Sequence, residues 1–282
     1  MFGVDRQVYY RRKRNKQKRQ DIASQVIELV REIRQQMPRI GTRKLYYLLA
    51  RKLEPLSVGR DRLFRILKAN HLLVIPKRSY RVTTNSHHHF RKHKNLIERL
   101  VITRPEQIWV SDITYLGNRE NPCYLSLVTD AYSKLIVGYN VSENLNTENC
   151  IKALEKAVKS RQYKSRTLIH HSDRGIQYCS NEYQKTLSEN RLQCSMTESY
   201  DPYQNAVAER VNGILKQEFM IDDYRVGLHE ITQIVKESIH IYNTKRPHYS
   251  SHMLTPIQMH SQQKVKIRTY KKTVAEKLLQ LS

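Results

Sequence analysis

The spacing of apolar positions predicts helices in the first quarter of the chain. Between residues 21 and 70, apolar side chains recur at intervals of three and four, the spacing of an amphipathic helix. This pattern predicts three short helices. We expect Asp21 to cap the first helix, Pro38 to close it and Ser57 to cap the third.

The third predicted helix carries arginines away from its apolar stripe. These arginines are Arg60, Arg62 and Arg65. Three short helices with a tight turn and a basic last helix are typical of a helix-turn-helix DNA-binding domain, which we place at residues 21–81. The alternative is a small helical bundle whose arginines form only a hydrated face.

Residues 105–250 alternate between strand and helix patterns. Three β-rich segments separated by turn-like residues predict hairpin-linked strands at 108–117, 122–130 and 134–141. The elements predicted after them are a helix at 147–161, a strand that ends at Asp173, a helix at 181–191, a strand at 193–196 and a helix that carries Glu209. This order predicts an α/β fold with a mixed sheet covered by helices.

Composition narrows the class of protein. The 282 residues are 39% hydrophobic, enough for one large or two ordinary domains. No apolar run approaches the roughly 20 residues of a membrane span, and no apolar segment follows the basic N-terminus as in a signal peptide. The four cysteines are widely spaced without a CxxC pair, so we expect reduced core residues in a cytoplasmic protein with no membrane partner.

The net charge of +24 is distributed unevenly. Residues 1–104 hold 27 Lys and Arg against 7 Asp and Glu, residues 105–250 hold 17 against 18, and residues 251–282 hold 6 against 1. Two basic ends around a neutral middle favour a nucleic-acid-binding protein with chemistry at its centre, and they favour DNA binding by the three helices. A ribosome-associated or merely soluble basic protein would explain the ends but not the acids in the middle.

Three segments outside the two domains are basic and lack a clear period. We interpret residues 1–20 as a solvated or disordered arm that binds phosphates, residues 82–104 as a linker and residues 251–282 as a tail. The arm residues expected to bind DNA are Arg11, Arg12, Lys13 and Arg14. The linker contains His87-His88-His89, to which we assign no metal because no cysteine pair accompanies them.

Three acids in the middle segment carry the candidate chemistry. Asp112 lies in a strand that otherwise looks buried, where an acid is costly without a cationic partner. Asp173 ends a strand before a glycine turn, and Glu209 lies on a later helix, with 35 residues between the two acids. Each acid alone is more readily a cap, a turn residue or a surface acid. Together, in this order, they predict a two-metal site for phosphodiester transfer, with Asp112 shared between two Mg²⁺ ions about 4 Å apart.

Six segments carry a resemblance to a known family. They read WVSDITYL, YLSLVTDAYSKLIVGY, HHSDRGIQY, NAVAERVNGILKQE, YNTKRPH and LTPIQ. Together with the 35-residue interval, they resemble the DDE transposases related to retroviral integrases. The resemblance is greatest to the OrfB-type proteins of bacterial insertion sequences that use programmed frameshifting, and it covers nearly the whole chain, including the helix-turn-helix.

The resemblance implies an RNase H-like core with a mixed five-stranded sheet and a Mg²⁺-dependent strand-transfer reaction. The resemblance also implies that Asp112, Asp173 and Glu209 are the catalytic residues and the ligands of two Mg²⁺ ions. We expect Mn²⁺ to substitute for Mg²⁺. Lys216, seven residues after Glu209, would contact DNA near the scissile phosphate.

Two further assignments follow from the resemblance. Asp130, in the second predicted strand, has a family counterpart that is not a metal ligand, so we expect it to be structural. Arg246-Pro247-His248 matches a family motif for which we expect a packing role.

The partners implied are double-stranded DNA, as element terminal repeats and target, further copies of the chain on that DNA, and the upstream-frame protein or its fusion. A bacterial cytoplasmic, nucleoid-associated protein is expected. The alternatives are an RNase H-like metal nuclease that cuts but does not join, an inactive DNA-binding regulator, and a tyrosine recombinase, whose chemistry would survive EDTA.

Overall fold

The computed structural model describes residues 5–75, 93–98, 100–117, 122–197, 205–263 and 265–268. The described residues fall into two compact units, one ending at residue 75 and the other beginning at residue 93. The predicted histidine-containing stretch of the linker, His87-His88-His89, lies outside the described residues.

The first unit consists of three helices, as the apolar spacing predicted. They are α1 (Arg6–Gln36), α2 (Thr42–Leu53) and α3 (Arg60–Ala69). Their apolar stripes meet in a core that includes Val26, Val30, Leu45, Leu49, Leu63 and Leu67. The prediction of a helical N-terminal domain is confirmed.

Two predicted helix caps are wrong. Asp5, not Asp21, caps α1, and its side chain accepts a hydrogen bond from the backbone N–H of Gln7 at 2.9 Å. Asp21 is inside the helix, because the Arg, Lys and Gln residues of the predicted arm are strong helix formers that extend α1 back to Arg6. Ser57 has a left-handed backbone with φ of 53°, so it cannot cap α3, which begins after Gly59.

The second unit contains a five-stranded sheet with helices packed on it. Its elements are β1 (Ile108–Gly117), β2 (Pro122–Asp130), β3 (Ile136–Ser142), α4 (Thr147–Ser160), β4 (Leu168–Ser172), α5 (Ile176–Cys179), α6 (Asn181–Glu189), β5 (Leu192–Met196), α7 (Ala206–Gln217), α8 (Leu228–Thr244) and α9 (Pro256–His260). The strand order is β3-β2-β1-β4-β5. The β1–β2 and β2–β3 pairs are antiparallel, whereas β1–β4 and β4–β5 are parallel. The predicted mixed sheet is therefore confirmed.

Alternate residues of β1 face two different helical layers. Trp109 packs in one core cluster with residues of α4, α5 and α6. Ile108 and Val110 pack in another cluster with Ala208 of α7. Because side chains alternate along a strand, Asp112 shares the α7 side of the sheet with Val110.

Helix α4 packs so closely on β3 that the strand has no room for a side chain at Gly138. A Cβ atom on Gly138 of β3 would lie 2.1 Å from the carbonyl oxygen of Ala153 and 2.7 Å from the backbone nitrogen of Ala157. Any side chain at this position would push the helix away from the strand.

The second unit extends past the predicted end of the core at residue 250. A 3₁₀ turn spans Tyr249–Ser251, and α9 follows, with Met259 and His260 buried. The predicted tail therefore starts too early. A capping box between Thr255 and Gln258, with a proline at the first helical position, begins this helix.

A buried group of charged residues connects α9 to the end of β2. Asp130 accepts hydrogen bonds from the backbone N–H and hydroxyl of Ser133, both at 2.7 Å, and from the backbone N–H of Glu106 at 2.7 Å. The ring of His260 lies 3.7 Å from Asp130 and 3.6 Å from Glu106. Burial alone would lower the pKa of His260, but these two carboxylates outweigh it and raise the pKa to about 9. The expected structural role of Asp130 is confirmed.

A second buried ion pair holds the end of α7. Arg246 is 1% exposed, and its Nε and Nη2 atoms donate to the Glu218 carboxylate at 2.9 and 2.7 Å. Its Nη1 atom donates to Nε2 of His248 at 2.9 Å, and the His248 ring packs edge-on against Tyr242. The packing role expected for this motif is confirmed.

All four cysteines are free thiols, and three of them are buried. Among the described residues, no helix combines the length and apolar character needed to cross a bilayer.

Candidate active site

Asp112 lies in the middle of β1, which is the central strand of the sheet. Its carboxylate is half-buried and held at both oxygens. Oδ1 accepts a hydrogen bond from the backbone N–H of Ile113 at 2.9 Å, and Oδ2 accepts one from Nδ2 of Asn212 at 2.7 Å. These two bonds fix the direction in which the carboxylate points.

Asp173 follows β4, the parallel neighbour of β1, as the sequence predicted. Its Oδ1 atom accepts a hydrogen bond from the backbone N–H of Gly175 at 3.0 Å, which closes a tight turn before α5. A Cβ atom on Gly175 would lie 3.0 Å from the same Oδ1 atom. A side chain at position 175 would therefore press on the Asp173 carboxylate.

Glu209 lies in the first turn of α7, and its side chain is largely exposed. Partial desolvation raises its pKa above the usual value. The helix carries Ala208, Val211 and Leu215 inward as its buried stripe, which orients α7 on the sheet. The helical placement of Glu209 was predicted.

Asp112 is within electrostatic reach of the other two acids. Burial raises the pKa of Asp112, the charge of Asp173 raises it further, and Glu209 adds to the increase. The hydrogen bonds from Asn212 and Ile113 oppose this, and the resulting pKa is about 7. The side chains of the described residues nevertheless form no group of three or more His, Cys, Asp or Glu close enough to hold a metal ion.

The donor set fits a hard cation. Carboxylate oxygens are the protein ligands that Mg²⁺ prefers, and two or three suffice because the ion keeps several waters. The raised pKa of Asp112 shows that its charged form is disfavoured by burial and by the neighbouring acids, and a cation would remove this penalty.

Lys216 lies one turn beyond Asn212 on the same face of α7. Its Nζ atom donates to Oγ1 of Thr114 at 3.1 Å and lies 3.9 Å from Oδ2 of Asp222, and its side chain is 20% exposed. Lys216 is thus held two residues along β1 from Asp112. Its predicted contact with DNA stays a prediction.

The other residues predicted to bind DNA lie in the first unit. Every cationic side chain of α1 between residues 6 and 20 is exposed, as are Arg60 and Arg65. Arg60 forms an ion pair with Asp61 at 2.9 Å, and Arg62 donates to the carbonyl of Ser57 at 3.1 Å. DNA binding by these residues also stays a prediction.

Sequence reasoning missed Asn212. A neutral amide on a helix carries no charge signal, and its partner is 100 residues away in the sequence. The available signal was its position three residues after Glu209 and next to the apolar stripe, where a polar residue must be buried.

Comparison with known proteins gives consistent matches. Two Integrase core domain families match residues 102–202 and 190–256. The chain is 36% identical over 254 residues to the "uncharacterized 31 kDa protein" of insertion element IS600 from Shigella sonnei, covering 88% of this chain and 92% of that protein. It is 32% identical over 185 residues to a putative transposase for insertion sequence element IS986/IS6110 from Mycobacterium tuberculosis, covering 64% of this chain and 66% of that protein.

A solved structure shares the fold. The simian T-cell lymphotropic virus intasome in complex with PP2A regulatory subunit B56 gamma matches with a TM-score of 0.50 and 17% identity, covering 83% of this chain and 79% of that chain. At that identity, the likeness concerns the fold alone. The family matches, the relative that aligns over most of both chains, and the mixed sheet with its helices agree, and the chain belongs to the DDE-type transposases of the retroviral integrase superfamily.

Proposed function

We propose that this transposase binds the ends of its insertion sequence and catalyses Mg²⁺-dependent cleavage and joining of DNA strands. Asp112, Asp173 and Glu209 are the proposed metal ligands. The observation that carries the proposal is the position of the three acids: Asp112 lies on the central strand, Asp173 directly follows its parallel neighbour, and Glu209 lies on the helix that bonds to Asp112 through Asn212. The charges of Asp173 and Glu209 both raise the pKa of Asp112, which is thus influenced by both other acids.

Each protein group has a distinct part in the proposed reaction. Two bound Mg²⁺ ions, for which Mn²⁺ substitutes, would activate the attacking oxygen and stabilise the leaving oxygen of the phosphodiester. Asp112 contributes a carboxylate whose direction is fixed by two hydrogen bonds. Asp173 contributes a carboxylate fixed by the turn at Gly175. Lys216 supplies a cation beside the site for a DNA phosphate.

The proposed substrates are the double-stranded terminal repeats of the element and a target duplex. The exposed cationic residues of α1 and α3 would bind their phosphates, with further copies of the chain assembled on the same DNA. The protein of the upstream frame, or its fusion to this chain, is a proposed partner at the element ends.

Two assays test the proposal together: cleavage of uncut element ends and joining of pre-cut ends to a target duplex. We expect joining in Mg²⁺ or Mn²⁺ and none in EDTA. We also expect Asp112→Asn, Asp173→Asn and Glu209→Gln to abolish cleavage and joining while DNA binding, measured by mobility shift, is retained. Glu182→Gln, which neutralises an exposed acid on α6, is the matched control and should keep wild-type activity.

The alternatives give different results in the same assays. A nuclease would cut the ends without joining them, and a regulator would bind DNA without either product. Activity that persists in EDTA would favour the tyrosine recombinase. Full strand transfer by any one of the three variants would remove that residue from the metal site.

A further inference from the structure

Asn212 lies directly against the carboxylate of the central acid. We propose that Asn212 is a positioning residue, whose side-chain amide holds Asp112 in the orientation that binds a divalent cation. This inference rests on the proposed metal site. It assigns a role to a residue that contributes no ligand charge of its own.

The contact leaves the carboxylate constrained but still able to bind a cation. A carboxylate offers about four lone-pair positions on its two oxygens. The backbone N–H of Ile113 uses one on Oδ1, and Nδ2 of Asn212 uses one on Oδ2 at 2.7 Å. Each oxygen therefore keeps about one position for a cation, in a direction set by the other bond.

The position of Asn212 is fixed by the register between α7 and β1. Asn212 and Lys216 are four residues apart on one helix face, and they bond to Asp112 and Thr114, two residues apart on one strand face. Four residues of a helix rise about 6 Å, and two residues of a strand rise about 6.6 Å. Because the two distances are nearly equal, both helix residues can contact their strand partners at the same time. A third bond, from Nδ2 of Asn205 to the carbonyl of Ser111 at 3.2 Å, ties the start of the helix to the same strand.

The chemistry of an amide suits this position better than a charged donor. A Lys or Arg would neutralise Asp112 and occupy the place of the cation, whereas the Asn212 amide donates without charge. The orientation of the amide follows from its partner. Exchanging its oxygen and nitrogen would direct Oδ1 at the carboxylate, placing two acceptors together.

The other end of the Asn212 amide lies in the protein interior. Asn212 is 5% exposed, and its Oδ1 atom accepts a hydrogen bond from none of the described residues. An unpaired buried carbonyl costs about 1–3 kcal/mol, and Oδ1 of the structural Asn205 also accepts a hydrogen bond from none of the described residues. The oxygen remains able to accept a hydrogen bond from a water molecule at the site.

Metal binding by the full-length chain without DNA tests the inference. Calorimetric titration with Mn²⁺ would compare the wild type with Asn212→Leu, which removes the donor and keeps the branching and the number of heavy atoms of the side chain. The matched control is Asn205→Leu. It removes a side-chain hydrogen bond that joins the same helix to the same strand but does not involve the Asp112 carboxylate. Asp112→Asn serves as the reference for loss of the site.

We expect Asn212→Leu to weaken Mn²⁺ binding about 10- to 100-fold, the usual effect of removing a group that orients a metal ligand. Asn205→Leu should lower thermal stability and leave the Mn²⁺ affinity unchanged. Strand transfer by Asn212→Leu should recover as Mn²⁺ is raised, whereas Asp112→Asn should not recover.

Three results would overturn one or both claims. Wild-type Mn²⁺ affinity in Asn212→Leu, with binding lost in Asp112→Asn, overturns the role of Asn212 and leaves the metal site standing. An equal loss of affinity in Asn205→Leu shows that general anchoring of α7 is responsible. Unchanged binding in Asp112→Asn overturns the metal site itself. If Asn212→Leu does not fold, Asn212→Ser, whose hydroxyl is too short to reach the carboxylate, gives the same test.

Discussion

Charged residues are used in opposite ways in the two units. Between residues 6 and 20, α1 carries eight Lys and Arg and no acid, and all eight side chains are exposed. In the second unit, Glu106, Asp130 and His260 are almost completely buried, and His260 lies within ion-pair distance of both carboxylates. The first set remains hydrated and acts at long range, whereas the second set is dehydrated and determines local geometry.

Arg12 and Arg246 make the contrast at the level of one residue type. Arg12 is exposed on a helix in which every neighbouring charge has the same sign. Arg246 is buried against Glu218 and His248. Replacing the first should change DNA binding and leave stability nearly constant, and replacing the second should change stability. We expect four changes to the protein or its solution to alter the free energy of unfolding by successively smaller amounts.

Removal of the Arg246 guanidinium should have the largest effect on the free energy of unfolding. Arg246→Gln leaves the Glu218 carboxylate without its two charge-assisted hydrogen bonds, and we expect a loss of about 3–5 kcal/mol. Arg12→Gln is the matched control and should change stability by less than about 0.5 kcal/mol. Urea denaturation of both variants measures the difference. Equal effects would contradict the contrast between the two arginines.

The His260 cluster should make stability depend on pH. Its pKa in the folded protein is about 9 against a usual value of 6.5, so its stabilisation is complete below pH 6.5 and is lost as pH rises through 9. The loss amounts to roughly 3 kcal/mol.

The pH effect is measured as the difference in unfolding free energy between wild type and His260→Gln. The difference is needed because Asp112, with a pKa of about 7, also loses stabilisation as pH rises, whereas Lys134, lowered to about 8, gains it. A difference that stays constant between pH 6 and 10 would show that His260 is not charged in the folded protein.

Divalent metal should stabilise the second unit. Because Mg²⁺ binds the folded site and not the unfolded chain, a concentration of 100 times Kd should add about 2.7 kcal/mol. Asp112→Asn should lose this increment. Without metal it should melt as high as wild type or higher, because the substitution removes repulsion from Asp173 and Glu209.

Differential scanning calorimetry with MgCl₂, compared with NaCl at equal ionic strength, measures the metal effect. The salt control separates site binding from general screening. A variant whose response to Mg²⁺ equals that of wild type would show that the three acids are not one site.

Neutralising the α1 charges should have the smallest effect on stability and a large one on binding. Changing Arg11, Arg12, Lys13 and Arg14 together to Gln removes like-charge pairs, so we expect stability unchanged or slightly higher. The slope of log affinity for duplex DNA against log salt should fall by about 3–4, because each phosphate contact contributes about 0.9. Fluorescence anisotropy over a salt series measures it. An unchanged slope would place the DNA contacts elsewhere.

The strand bounds of the core could be predicted from sequence because alternating burial is a local property. The β1 and β2 ranges were predicted without error, and α4 within one residue, from hydrophobic period and turn residues alone. Asp112 could be singled out because a carboxyl group in an apolar strand stands out against its immediate neighbours, whereas Asp173 and Glu209 were assigned by their order and their 35-residue interval. Metal binding by the three acids stays a prediction.

The errors in the predicted helix bounds arose from the local sequence, whereas the missed contacts join residues that are far apart in the sequence. The start of α1 was misplaced because a run of charge was interpreted as an arm, although its residue types favour a helix. Contacts such as Asn212 to Asp112, or Ser133 to His260 across 127 residues, depend on tertiary packing. A single sequence carries no period or motif that reveals such pairs.

The strand order has a consequence for how the chain folds as it is synthesised. Strands β1, β2 and β3 pair with their sequence neighbours within residues 108–142, so they can associate early with little loss of chain entropy. The parallel pairing of β4 with β1 and the docking of α7 on β1 require residues up to 105 positions further along than Asp112. Asp112 is thus positioned before Asp173 and Glu209. The proposed site in a growing chain remains incomplete until α7 has left the ribosome. The proposed metal site is therefore complete only in molecules whose core has already folded.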